Sequence, residues 1–145
     1  MRKCSVIAGL SLWLAACGGS DAESPKGDAG PFGSVTSDSK ALTLQVRTGP
    51  DQPPSRGIST VEFDITAADS GEPKDGLELT VVPWMPAMGH GTSVKPVIAA
   101  DGGGHYTVSN VNLYMGGAWD LRIAIANGPD AGDDADHATV HFKIR

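Results

Sequence analysis

From Ala41 to the end of the chain, apolar and polar residues alternate with a period of two, and no other feature constrains the fold as much. Leu42, Leu44 and Val46 alternate with Thr43, Gln45 and Arg47. Val61, Phe63 and Ile65 alternate with Glu62, Asp64 and Thr66, and after a turn rich in Gly, Pro and Asp come Leu77, Leu79 and Val81. Val94 to Ala99 reads as a weaker strand, and Pro96, which cannot donate to a ladder, places it at a sheet edge. Tyr106 and Val108 precede a corner at Asn110-Val111-Asn112. Trp119, Leu121, Ile123 and Ile125 form one more alternating set, and Val140, Phe142 and Ile144 the last. Successive side chains of a strand point to opposite faces, so each segment has one face to bury. About seven strands, with turn signals roughly every 8–12 residues and no helix period, predict an all-β domain over residues 41–145. Its expected form is an Ig-like antiparallel β-sandwich with Trp119 in the core and without the cysteine pair of true Ig domains.

Ahead of this domain the composition changes twice. Residues 1–16 read as a signal peptide: Arg2 and Lys3 are basic, Val6 to Leu14 is apolar but too short to span a bilayer, and small residues follow. Leu14-Ala15-Ala16-Cys17 resembles the lipobox of bacterial lipoproteins, which implies that Cys17 becomes the first mature residue and carries lipid on its sulfur and amino group. The other reading is an ordinary secretory signal with a cysteine near the cut. No other segment is apolar enough to cross a membrane, and more than one acyl chain anchors stably, so the expected state is attachment to a membrane of the cell envelope. Gly18 resembles the outer-membrane address of Gram-negative lipoproteins, which implies a periplasm-facing anchor. Residues 17–40 are rich in Gly, Ser, Asp, Ala and Pro and are expected to be a disordered tether, because so few large apolar residues cannot offset the ordering entropy. Such a chain has an r.m.s. reach of about 25 Å.

Charge and cysteine content exclude several functions. The chain has 11 Lys and Arg against 17 Asp and Glu, a net charge of −6, and loses Arg2 and Lys3 with the signal. It is a poor partner for nucleic acid or for anionic lipid surfaces. Of its 2 cysteines, Cys4 leaves with the signal and Cys17 is lipidated, so no thiol remains for a disulfide, a thiolate metal site or a nucleophile. No Gly-x-Ser-x-Gly, phosphate-cradling glycine loop or His-Glu-x-x-His is present, and an enzyme is not expected.

The chemistry concentrates in Pro83-Trp84-Met85-Pro86-Ala87-Met88-Gly89-His90-Gly91, read as a loop from its prolines and glycines. Thioethers are soft neutral ligands that select Cu(I), and imidazole also suits copper. Met85, Met88 and His90 lie close enough to wrap one ion, and Met115, near a strand end, is a fourth candidate. Trp84 is placed to stabilise a bound cation with its ring face. The competing reading has Met85, Met88 and Trp84 plugging the open end of the sandwich, with His90 capping the loop.

Trp84 to Gly91, then Gly104-His105-Tyr106, then Met115-Gly116-Gly117-Ala118-Trp119-Asp120-Leu121 resemble the YtkA-like domain. That family's pattern is Met-Pro-x-Met-x-His, a Gly-x-Tyr, and Met-x-Gly-x-Trp before an apolar strand. The resemblance runs from about Val61 to Ile144. It implies a β-sandwich and a copper role with Met85, Met88, His90 and Met115 as ligands. The family is related to FixH-like proteins and is similar to small periplasmic copper carriers in its use of Met and His.

The other histidines offer less. His137 and His141, four apart on one strand face, are separated by roughly 13 Å, too far to share an ion. His105 reads as a turn residue, to be recruited only if its turn lies at the Met-loop end. The acidic stretch Asn127 to Asp136 lacks the spacing of an EF-hand and reads as a mobile hairpin loop. The expected function is therefore a lipid-anchored Cu(I)-binding protein for copper delivery, buffering or resistance, working with a copper-handling protein partner. The alternative is a metal-free interaction or scaffold domain using the Trp/Met loop as an apolar contact.

Overall fold

In a computed structural model the described residues, 32–128 and 135–145, form nine strands and no helix. The segment read as a signal peptide, the expected lipidation site Cys17, most of the expected tether and most of the acidic stretch fall in residues 1–31 and 129–134, which lie outside them. The strands are β1 (Gly33–Thr36), β2 (Leu42–Gly49), β3 (Gly57–Ala67), β4 (Glu78–Met85), β5 (His90–Gly91), β6 (Val97–Gly102), β7 (His105–Leu113), β8 (Gly117–Ala126) and β9 (Asp136–Ile144). All pairings are antiparallel, in two sheets of order β1-β2-β3-β7-β6 and β5-β4-β8-β9. Without β1 and β5 these orders are the ABED and CFG sheets of an Ig-type sandwich. No helix among the described residues is long and apolar enough to cross a membrane.

The inward parity is the one the alternation predicts. Leu44, Val46, Val61, Phe63, Ile65, Leu121, Ile123, Val140 and Phe142 are buried, and Trp119, near the start of β8, belongs to the same core with 0 % of its surface exposed. β6 is the edge strand that Pro96 required, beginning one residue after it. Two expectations change. The folded region begins before Ala41, because Gly33 to Thr36 pair with Val46 to Thr43. The corner at Asn110 is a bulge inside β7 instead: Val61 opposes Val108 while Ser59 opposes Val111. The extra residue reverses the parity, so Tyr106 and Val108 before it and Val111 and Leu113 after it all face the core. Asn110 takes a φ of 59°, a conformation asparagine tolerates better than most side chains.

Tyr106 ties the long β3–β4 connection to the core. Its hydroxyl donates to the Lys74 carbonyl at 2.8 Å and accepts from the Leu77 N–H at 3.2 Å. Tyr106→Phe keeps the ring and leaves both backbone groups without that partner. The expected loss is about 1–3 kcal/mol, read as a lower urea midpoint at unchanged slope.

Candidate functional site

The stretch expected to be one loop is a hairpin. Pro83, Trp84 and Met85 are the last residues of β4, and His90 and Gly91 form β5, so only Pro86 to Gly89 turn. The inward alternation therefore runs on through Leu77, Leu79, Val81, Pro83 and Met85. Proline is tolerated near the sheet edge because β5 pairs only with Trp84 and Met85. The Met85 carbonyl accepts the N–H groups of Met88 at 3.1 Å and Gly89 at 3.0 Å, and Gly89 closes the turn at a φ of 67°. At Gly91 a Cβ would stand 2.6 Å from the Pro83 carbonyl oxygen, so β5 can approach this closely only as glycine.

This register sets the site. Met85 and His90 are directly opposed, so their side chains leave the sheet on the same side with Cβ atoms about 4.5–5.5 Å apart. Met85 is buried to 4 % exposure, with its terminal methyl over Gly117, where a Cβ would be 2.6 Å from it. His90 sits at the rim. Its Nδ1–H donates to the Gly91 carbonyl at 3.0 Å, and the Tyr114 hydroxyl lies 3.3 Å from the same nitrogen. A carbonyl only accepts, so this bond puts the proton on Nδ1 and leaves the Nε2 lone pair available. Nε2 has no hydrogen-bond partner among the described residues.

The β7–β8 connection completes this end of the sandwich. Tyr114 stacks on His90 with ring centroids 6.3 Å apart and meets Trp119 edge-on at 5.6 Å. Met115 is half-buried against the core, and its carbonyl accepts the Trp119 indole N–H at 2.9 Å. Met85, His90 and Met115 thus share one end of the fold, where Met85 reaches the start of β8 and His90 reaches Tyr114. Met88 sits on the turn tip, 55 % exposed. Trp84 is displaced from the role expected of it. One residue from Met85 on a strand, it faces the other way, under the Arg122 guanidinium at 4.7 Å from the ring centroid. The aromatic at the site is Tyr114, which the sequence reading passed over although it lies between Leu113 and Met115.

The remaining histidines lie elsewhere. His137 is exposed, and His141 donates from Nδ1 to Asp120 at 2.7 Å on the outer face of β8–β9. His105 begins β7 at the opposite end from the hairpin, inside a strand, and donates from Nδ1 to Asp64 at 2.6 Å. Arg47 pairs with the other Asp64 oxygen. Burial raises the Asp64 carboxyl, but hydrogen bonds and charge from His105 and Arg47 outweigh it and hold the group below the usual carboxylate range. A depressed folded-state value stabilises above the unfolded value of about 3.9, and that contribution is lost as pH falls through the folded value. Asp64→Asn is expected to flatten the acid limb of stability, by no more than about 1 kcal/mol for a group this exposed. Urea midpoints from about pH 5 down to pH 2 check this.

Among the described residues, no three His, Cys, Asp or Glu side chains come together as a metal site. A family model described as YtkA-like matches residues 37–124, more than half of the chain. The match starts earlier than the resemblance read from the motifs, taking in β2, and it ends within β8. It includes Met85, Met88, His90 and Met115. Neither a curated protein nor a solved structure gives a significant match.

Proposed function

The chain belongs to the YtkA-like family, and from that premise we propose that it is a lipid-anchored, non-enzymatic Cu(I)-binding module of the cell envelope. Its role is copper delivery, buffering or resistance, in exchange with a copper-handling protein. The supporting observation is the cross-strand pair of Met85 and His90. It sets a shielded thioether beside an imidazole whose Nδ1–H is engaged by a backbone carbonyl. That second-sphere bond is typical of metal-ligating histidines, and the S/N donor set suits Cu(I). Met88 and Met115 are the further thioethers, one exposed at the tip of the turn and one half-buried at the rim of the core. Cys17 carries the lipid.

Competition for Cu(I) between the purified chain and a chromogenic chelator tests the proposal, and a chain that takes no Cu(I) from the chelator overturns it. The exposure of Met88 and Tyr114 favours a second reading, a metal-free contact with another protein of the envelope. A partner recovered equally well with and without Cu(I), and lost on Tyr114→Ala, would replace the copper role.

A further inference from the structure

The first described residues leave the sandwich at the Met/His end. β1 is antiparallel to β2 and sets Gly33 beside Val46, so the chain enters next to the β2–β3 connection. Phe32 donates its N–H to the Val46 carbonyl at 2.6 Å and packs its ring 5.6 Å from Phe142, near the end of β9. The β4–β5 turn, the β7–β8 connection and the last residue of β9 all lie at this end. Residues 18–31 separate it from Cys17, a distance of at most roughly 50 Å even fully extended. The opposite end lies about 30 Å farther along the strands.

Surface chemistry divides along the same axis. Exposed Phe32, Ile58, Met88 and Tyr114 gather at the entry end. Arg56, Lys143 and Arg145 stand among them without an ion pair among the described residues. Phe32, Lys143 and Arg145 line one open hollow of about 550 Å³ with Pro53 and Pro54. In the three connections at this end, 50–56, 86–89 and 114–116, the one carboxylate side chain is Asp51. The far end instead carries Asp38, Asp69, Glu72, Asp75 and Asp136 against Lys40 and Lys74. The net charge of −6 thus hides a basic, apolar-tipped end on an acidic body. Anionic head groups attract the first and repel the second, and only charges within a Debye length of about 8–10 Å take part.

We propose that the Met/His end is a membrane-docking face, which seats Phe32, Ile58, Met88 and Tyr114 on an anionic lipid surface and opens the candidate copper site toward the bilayer. This rests on the lipid-anchor part of the proposed function and is independent of copper. A ligand set facing the bilayer exchanges its ion with a partner embedded in that membrane rather than with one free in the compartment.

The test uses the full acylated chain in vesicles of phosphatidylethanolamine and phosphatidylglycerol, without copper. A dye is placed on a single new thiol, Ala87→Cys at the hairpin turn or Ser70→Cys at the far end, and energy transfer to an acceptor lipid is measured. Transfer is expected to be several-fold greater from position 87, and to become equal when Arg56, Lys143 and Arg145 are all changed to Glu. Equal or greater transfer from position 70, or no response to the triple reversal, overturns the proposal. Preference for position 87 only in native membranes, and not in these vesicles, overturns lipid docking in favour of a protein partner. A Cys17 without acyl groups, seen by mass spectrometry, overturns both the anchor and the docking face. Failure to bind Cu(I) removes the copper role and leaves the orientation standing.

Discussion

Trp119→Ala is expected to cost about 3–5 kcal/mol and to lower the melting temperature by on the order of 10–25 °C. Trp119 has no exposed surface and is the largest fully buried side chain of the core. Its removal leaves a cavity in the core that residues held on paired strands cannot fill without moving whole strands. The loss has a second part, because the indole N–H bonds the Met115 carbonyl and so fixes the β7–β8 connection against the core. Trp119→Phe separates the two: it keeps most of the ring volume, loses the donor, and should cost well under half as much. Thermal and urea unfolding of both variants measure the difference. A Trp119→Ala chain that melts within a few degrees of wild type would mean that the sheets are not packed around this residue.

The second large effect concerns the hairpin. Met85→Leu combined with His90→Gln is expected to weaken Cu(I) binding at least about 100-fold, since losing a bond that merely orients a ligand already costs 10–100-fold. Leucine matters here because Met85 is buried against Gly117. Alanine would open a cavity and confuse unfolding with loss of a ligand, whereas a volume-conserving change costs less than about 1.5 kcal/mol. His90→Gln removes the imidazole from a rim position. Chelator competition on the double variant, with its unfolding midpoint measured beside it, distinguishes the outcomes. Unchanged stability with lost affinity supports ligation. Unchanged affinity shows that the Met85–His90 pair only closes the end of the sandwich. Met88→Leu and Met115→Leu then rank the remaining thioethers.

How legible was this in the chain? The alternation carried the sheets because a strand's period is set by the covalent backbone, and a buried face leaves its record residue by residue. It continued through Pro83 to Met85, but prolines and glycines there pointed to a loop. Composition reports the turn chemistry of Pro86 to Gly89 correctly, and cannot say how far a strand runs before the turn starts. β1 leaves no such record in the chain, for a related reason. Gly33 to Thr36 is short and poor in apolar residues, and its place comes from the open edge of β2. The Asn110 bulge is not legible in the chain because a single inserted residue resembles a break in the pattern, and only the partner strand's register distinguishes the two.

The Met-x-x-Met-x-His spacing, the YtkA-like motifs and the inward parity of Trp119 were determined by the sequence alone, since each is a matter of residue order or local period. Tertiary structure decided which of those residues meet. Strand pairing set His90 across from Met85, turned Trp84 away to Arg122, and brought Tyr114 onto the imidazole. Those relations depend on register and on which sheet each strand joins, and both are fixed by contacts between residues far apart in the chain, where local pattern carries no information.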